Sequence, residues 1–69
     1  MTFKNYHFAE IVTGEEFIVD AYTFSGAEIT AKEIAAELAN AYELEEPPQL
    51  MYYGTVTDTM AEMMGLDVY

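Results

Sequence analysis

A chain of 69 residues is enough for one domain, and a domain this small hides only about 60% of the surface that its unfolded form exposes. Thirteen acidic side chains stand against two lysines, no arginine and one histidine, for a formal net charge of -11. That balance excludes direct binding of DNA, RNA or anionic membrane, whose affinities rest on Lys and Arg. The lack of cysteine excludes a disulfide framework and a thiolate zinc site, and 52% hydrophobic residues are too many for a disordered acidic tail.

The segments Phe3 to Val12 and Glu16 to Phe24 are rich in β-branched and aromatic residues and read as a hairpin around Thr13-Gly14-Glu15. A two-residue loop at Gly14-Glu15 sets Val12 opposite Phe17 and Phe8 opposite Ala21, aligning Tyr6, Phe8, Val12, Phe17, Val19 and Ala21 on one side. Ile11, Ile18, Tyr22 and Phe24 fall on the other side, so either both faces are partly covered or a bulge shifts the register. Ser25-Gly26 then breaks the strand. Thr30 as N-cap with Glu33 makes a capping box, with Ile29 placed to staple onto Ile34. The helix predicted from Ala31 to Tyr42 gathers Ala31, Ile34, Ala35, Leu38, Ala41 and Tyr42 on one stripe and leaves Lys32, Glu33, Glu37 and Asn40 wet. Ser25 with Glu28 offers an earlier start, weakened by Gly26 in the first turn.

Pro47 and Pro48 end helical geometry and make Glu43-Leu44-Glu45-Glu46-Pro47-Pro48 a stiff acidic connector. A third strand is predicted from Gln49 to Val56, with Leu50, Tyr52 and Val56 on one face, Met51, Tyr53 and Thr55 on the other, and Gly54 marking a bulge or a close backbone approach. Thr57-Asp58-Thr59 supplies N-caps for a short helix through Met64, with Glu62 completing a box for Thr59, Gly65 as C-terminal cap and Met63 as the inward methionine. Leu66-Asp67-Val68-Tyr69 is expected to fold back onto the core. The order ββαβα predicts an α+β fold, a single domain over residues 1–69 with an antiparallel sheet and helices packed on it.

Catalytic chemistry finds little support. His7 and Ser25 are the single histidine and serine, and without cysteine no nucleophile-and-base constellation emerges, so we expect no enzyme, no catalytic residue and no cofactor. The pairs Glu15-Glu16 and Glu45-Glu46 are adjacent in turns, where a glycosidase needs carboxylates across a cleft. No segment carries the spaced Asp/Asn ligands of a calcium loop, and the prolines keep Glu43, Glu45 and Glu46 from converging, so no metal is expected. No stretch approaches the roughly 18 apolar residues of a membrane span, which predicts a soluble cytoplasmic protein. Six tyrosines exceed what a small core comfortably hides, and Tyr52, Tyr53 and Tyr69 are the expected exposed members.

The acidic surface is the most informative feature. Glu33 and Glu37 sit four apart on one helix face, a like-charge spacing that costs a few tenths of a kcal/mol. Glu10, Glu15, Glu16 and Asp20 charge the hairpin, Glu43, Glu45 and Glu46 the connector, and Asp58, Glu62 and Asp67 the C-terminal part. A net charge of -11 exceeds the roughly two to eight that solubility requires. In size, charge and the distribution of Glu33, Glu37, Glu43, Glu45 and Glu46, the chain resembles the small acidic anti-CRISPR and anti-restriction inhibitors of phages and mobile elements that act as nucleic-acid mimics. The resemblance implies an inhibitor that binds the basic nucleic-acid-binding surface of a nuclease or other DNA-handling enzyme. Glu15, Glu16, Asp20, Glu33, Glu37, Glu43, Glu45 and Glu46 are its expected charged contacts, and Tyr52 and Tyr53 its anchors. The competing expectation is a non-enzymatic interaction module that forms a homodimer, or docks on a larger protein, through an exposed strand or its Met and Tyr surface.

Overall fold

The computed structural model describes residues 2–69 and has the predicted order: β1 (Lys4–Glu10), β2 (Glu15–Ala21), α1 (Phe24–Ala41), β3 (Leu50–Val56) and α2 (Asp58–Met64). The strands form one antiparallel sheet in the order β2-β1-β3, so the first strand of the chain is the central one. The fold is α+β, as its pattern of elements predicts.

The hairpin register departs from the expectation. Phe8 lies opposite Phe17 rather than Ala21, and Glu10 opposite Glu15, so Ile11 to Gly14 form a longer turn closed by the Gly14 N–H on the Glu10 carbonyl at 2.9 Å. The cause is the Glu10 side chain, whose Oε1 accepts the Thr13 N–H at 2.6 Å and secures a turn that a two-residue loop could not contain. The slip is even, from 21 to 17 opposite Phe8, so the inward set survives, and of the apolar residues assigned to that side only Val12 leaves the sheet. Tyr6, Phe8, Phe17 and Val19 pack against Ala27, Ala31 and Ile34 of α1, with Ala21, Leu38 and Leu50 at the rim. Ala27 and Ala31, both fully buried, are small enough to bring the helix backbone close to these aromatic rings.

The β1–β2 ladder is regular, and of the two explanations for its mixed pattern, coverage of the second face is the one observed: Ile18 and Ala9 are buried there. The bulge lies between β1 and β3 instead. Gly54 (φ 121°) faces His7 and Tyr52 faces Phe8, which leaves Tyr53 as the extra residue. Beyond it the sides exchange, so that Thr55 pairs with Tyr6 and Val56 with Asn5, the reverse of the alternation expected for these two.

Helix α1 begins earlier than either predicted start. Thr23, extended at φ -133°, is the N-cap, and its Oγ1 accepts the Gly26 N–H at 3.2 Å. Thr30 is therefore an interior helical residue, and the strand before it ends at Ala21 rather than Phe24. The freed Phe24 ring packs at 4.8 Å from Tyr52 and 6.1 Å from Tyr6. At the other end Tyr42 caps the helix. The Glu43 N–H reaches the Asn40 carbonyl at 3.2 Å and the Leu44 N–H the Ala39 carbonyl at 2.9 Å, the paired bonds of a Schellman motif.

The shorter helix α2 is capped as expected at its end, by Gly65 at φ 64°, and at its start by Thr57, whose Oγ1 accepts the Met60 N–H at 3.1 Å. It buries no residue. Met63, expected inward, is 78% exposed, because Ala61 and Met64 take the half-buried positions. The tail does fold back. Val68 bridges Ile18 in parallel, and bonds from Ile18 N–H to Asp67 O, Tyr69 N–H to Ile18 O and Asp20 N–H to Tyr69 O close the outer edge of β2. The Tyr69 ring meets Phe17 edge-on at 5.9 Å.

Candidate interaction surface

Acidic side chains cannot gather in one place without opposing one another, and ten of the thirteen fall into three groups. The first follows α1 and its exit. Glu33 and Glu37 lie exposed away from the stripe formed by Ala27, Ala31 and Ile34, and Glu43, Glu45 and Glu46 are exposed in the connector. Glu15, at the head of β2, joins this group because its Oε1 accepts the Tyr42 hydroxyl at 2.6 Å. That bond, more than the negative charge of Glu15, raises the pKa of Tyr42.

The second group occupies the sheet face turned from α1. Glu16 Oε1 lies 2.8 Å from Nε2 of the half-buried His7, and the Tyr53 ring stands 4.9 Å from that imidazole. Asp20 lies further along this face. Although Asp20 is exposed, partial desolvation of its carboxylate first, and then the charge of Asp58, raises its pKa, while Asp58 itself accepts the Asn5 amide at 2.6 Å. Tyr52 and Tyr53, expected to act together, are separated by the bulge. Tyr53 is 55% exposed beside His7, whereas Tyr52 is wedged on the α1 side against Tyr6, Phe8 and Phe24 and supports the core rim.

The third group is a single residue that patterning assigns to the charged surface. Glu10 is fully buried. Burial acts to raise its pKa, but the backbone N–H groups of Thr13 and Gln49, each 2.6 Å from a different carboxylate oxygen, outweigh that effect with help from the Thr13 hydroxyl and the Val12 amide, and hold the pKa below the usual range. The carboxylate thus ties the hairpin turn to the entry of β3. Its position at a strand end before a Thr-Gly turn is the available sequence signal, one that hydrophobic alternation does not read.

Glu43 stands out within the first group. It has φ 52°, the left-handed region, at the position after a helix cap where glycine is favoured. It also sits at the negative end of the α1 dipole, and the last turn of that helix holds no basic residue. Among the described residues Lys32 pairs with Glu28 alone, at 3.9 Å, so it leaves the exit of α1 uncompensated.

Among the described residues, no group of three or more His, Asp or Glu is placed to hold a metal ion, and no helix is long and apolar enough to cross a membrane. Comparison with known proteins found no matching family model, no matching curated protein and no matching solved structure.

Proposed function

We propose that the protein is an acidic inhibitor of the anti-CRISPR or anti-restriction type, which occupies the basic nucleic-acid-binding surface of a nuclease or other DNA-handling enzyme as a phosphate mimic. The observation that carries this reading is Glu43. A carboxylate is retained where backbone strain and the helix dipole both disfavour it, and glycine would relieve both. Such a position is explained by a requirement for charge at that point. The neighbouring groups agree. Carboxylates one helical turn apart are spaced by about 6 Å, and each DNA strand carries one phosphate per roughly 3.4 Å of helix axis, so a short acidic helix can imitate part of a phosphate track.

Glu33, Glu37, Glu43, Glu45 and Glu46, with Glu15 brought in by Tyr42, form the charged track on this reading. Glu16, Asp20 and Tyr53 lie on the other side of the sheet and serve a second contact or none. Attraction between this track and Lys and Arg of the enzyme would speed capture and weaken with salt. The protein would work in the cytoplasm, the host's if it is phage-borne.

The test is residual cleavage of duplex DNA by a panel of purified nucleases and restriction enzymes, titrated with the protein at low and high salt. The expected result is stoichiometric inhibition of one basic enzyme, weakened roughly tenfold or more when Glu33, Glu37, Glu45 and Glu46 become Gln together. Equal inhibition by that variant would remove the charge track from the explanation.

A further inference from the structure

The two edges of the sheet are treated differently. The C-terminal tail hydrogen-bonds along β2, while among the described residues β3 pairs with β1 on one side only. The bond from the Ile11 N–H to the Gln49 carbonyl fixes the alternation: Glu10 and Leu50 are a non-hydrogen-bonded pair. Met51 therefore directs its backbone N–H and C=O toward β1, whereas Leu50 and Tyr52 direct theirs outward. Edges of this kind are ordinarily blunted by lysine, proline or inward charge. This one is not. Leu-Met-Tyr-Tyr-Gly-Thr-Val is the only element of the fold without a Lys, Asp or Glu. Carboxylates frame it at both ends, with Glu45 and Glu46 before it and Asp58 after it, all exposed.

We propose that the outer edge of β3 accepts an extended strand from a basic protein partner, neutral at its centre and carrying Lys or Arg at both ends. The proposal rests on the reading of the partner as basic, and it adds the backbone contact that charge alone lacks. Charge complementarity selects this occupant over a second copy of the chain. Two copies paired antiparallel along β3 would bring Glu45 and Glu46 of each toward Asp58 of the other, so like charges would meet at both ends of the seam. A basic strand meets opposite charges there. Main-chain bonds from Leu50 and Tyr52 supply register, and the flanking acids supply orientation-independent attraction.

The experiment uses the full chain and short synthetic peptides with one alternating Thr/Val centre, flanked at both ends either by lysine pairs or by glutamate pairs. Amide hydrogen exchange is followed by NMR at low salt. At saturation the lysine-flanked peptide is expected to slow exchange at Leu50 and Tyr52 by about tenfold or more, with a smaller change at Met51, whose N–H is already bonded. The glutamate-flanked peptide, and a lysine-flanked one N-methylated at alternate residues, are expected to leave those amides unchanged. Binding of the lysine-flanked peptide without protection at Leu50 and Tyr52, or equal binding of its N-methylated form, overturns the edge proposal while leaving the charge-based function intact. No binding of the lysine-flanked peptide, with enzyme inhibition preserved, overturns it likewise. Protection of the same two amides in peptide-free protein, growing with protein concentration, assigns the edge to a second copy and overturns it too.

Discussion

The Tyr42 hydroxyl donates to Glu15 Oε1 at 2.6 Å, joining the last cap of α1 to the first residue of β2 across 27 positions of sequence. This contact keeps the acidic exit of the helix against the sheet, although both side chains are exposed.

Breaking that contact has a spectroscopic consequence. The hydrogen bond from Tyr42 and the adjacent charge raise the phenol above its ordinary 10.0. Folding stability from this group is therefore present below the unfolded value and lost as pH rises through the folded one. The variant Glu15→Gln should return Tyr42 toward 10.0, read from the titration of its ring-carbon NMR signal. The remaining tyrosine signals should stay where they are.

Glu10 acts at the opposite end of the pH scale. Its folded pKa lies below the usual value of 4.5, so its contribution is complete above that value and lost as pH falls through the folded pKa. Replacing Glu10 by Ala leaves the Thr13 and Gln49 N–H groups without their acceptor. Loss of charged hydrogen bonds of this kind costs about 3 kcal/mol or more, measured as a lower urea midpoint at neutral pH. Glu10→Gln, which keeps one acceptor oxygen, should lie between the variant and the parent.

Asp20 behaves inversely to Glu10. Its folded pKa is raised by partial desolvation and by Asp58, so its ionisation disfavours the folded state at neutral pH, and acidification through the folded pKa relieves that penalty. Asp20→Asn should raise the neutral-pH urea midpoint, and the gain should vanish below the ordinary aspartate range of about 3.9. A gain that persisted in acid would mean the charge is not its source.

Glu43→Gly tests the strained cap directly. Removing a side chain from a left-handed position, along with a negative charge at the C-terminal end of a helix, should stabilise the fold by about 1 kcal/mol. For a domain this small that is a rise in Tm of roughly 4–8 °C. On the proposed function the same variant inhibits its target less well, so stability and activity move in opposite directions.

Local chemistry made much of this fold legible in the sequence. Pro47 and Pro48 located the connector, Gly65 the end of α2, and the apolar spacing of Ala31, Ile34, Ala35 and Leu38 the buried side of α1. What escaped depended on contacts distant in sequence or on competition between equivalent signals. Thr23, Ser25 and Thr30 are all chemically fit to cap α1, and Phe24, packed at the rim of the core against Tyr52 and Tyr6, fixes the choice in favour of Thr23. The hairpin slipped because Glu10 reads as a surface charge until Gln49, from the far end of the connector, arrives to bond it. Tyr52 and Tyr53 parted company through a bulge opposite His7 and Phe8, which Gly54 signalled without revealing which neighbour would be displaced. Among the carboxylates, the surface run on α1 was readable from periodicity, whereas the left-handed backbone of Glu43 had no sequence signal, since glycine is the residue expected there.

The central position of β1 governs how such a chain can acquire its structure. Its hairpin with β2 is local in sequence, but its other side waits for β3, and the pair Asn5 and Val56 are 51 positions apart. Until that distant strand arrives, β1 offers a bare edge and an aromatic face that α1 alone has to shield. Closing so long a segment carries an entropic barrier that local helices do not share, so the rate-limiting event in folding should be the docking of β3. Mutations along β3 should then slow folding, and those confined to α2 should mainly hasten unfolding.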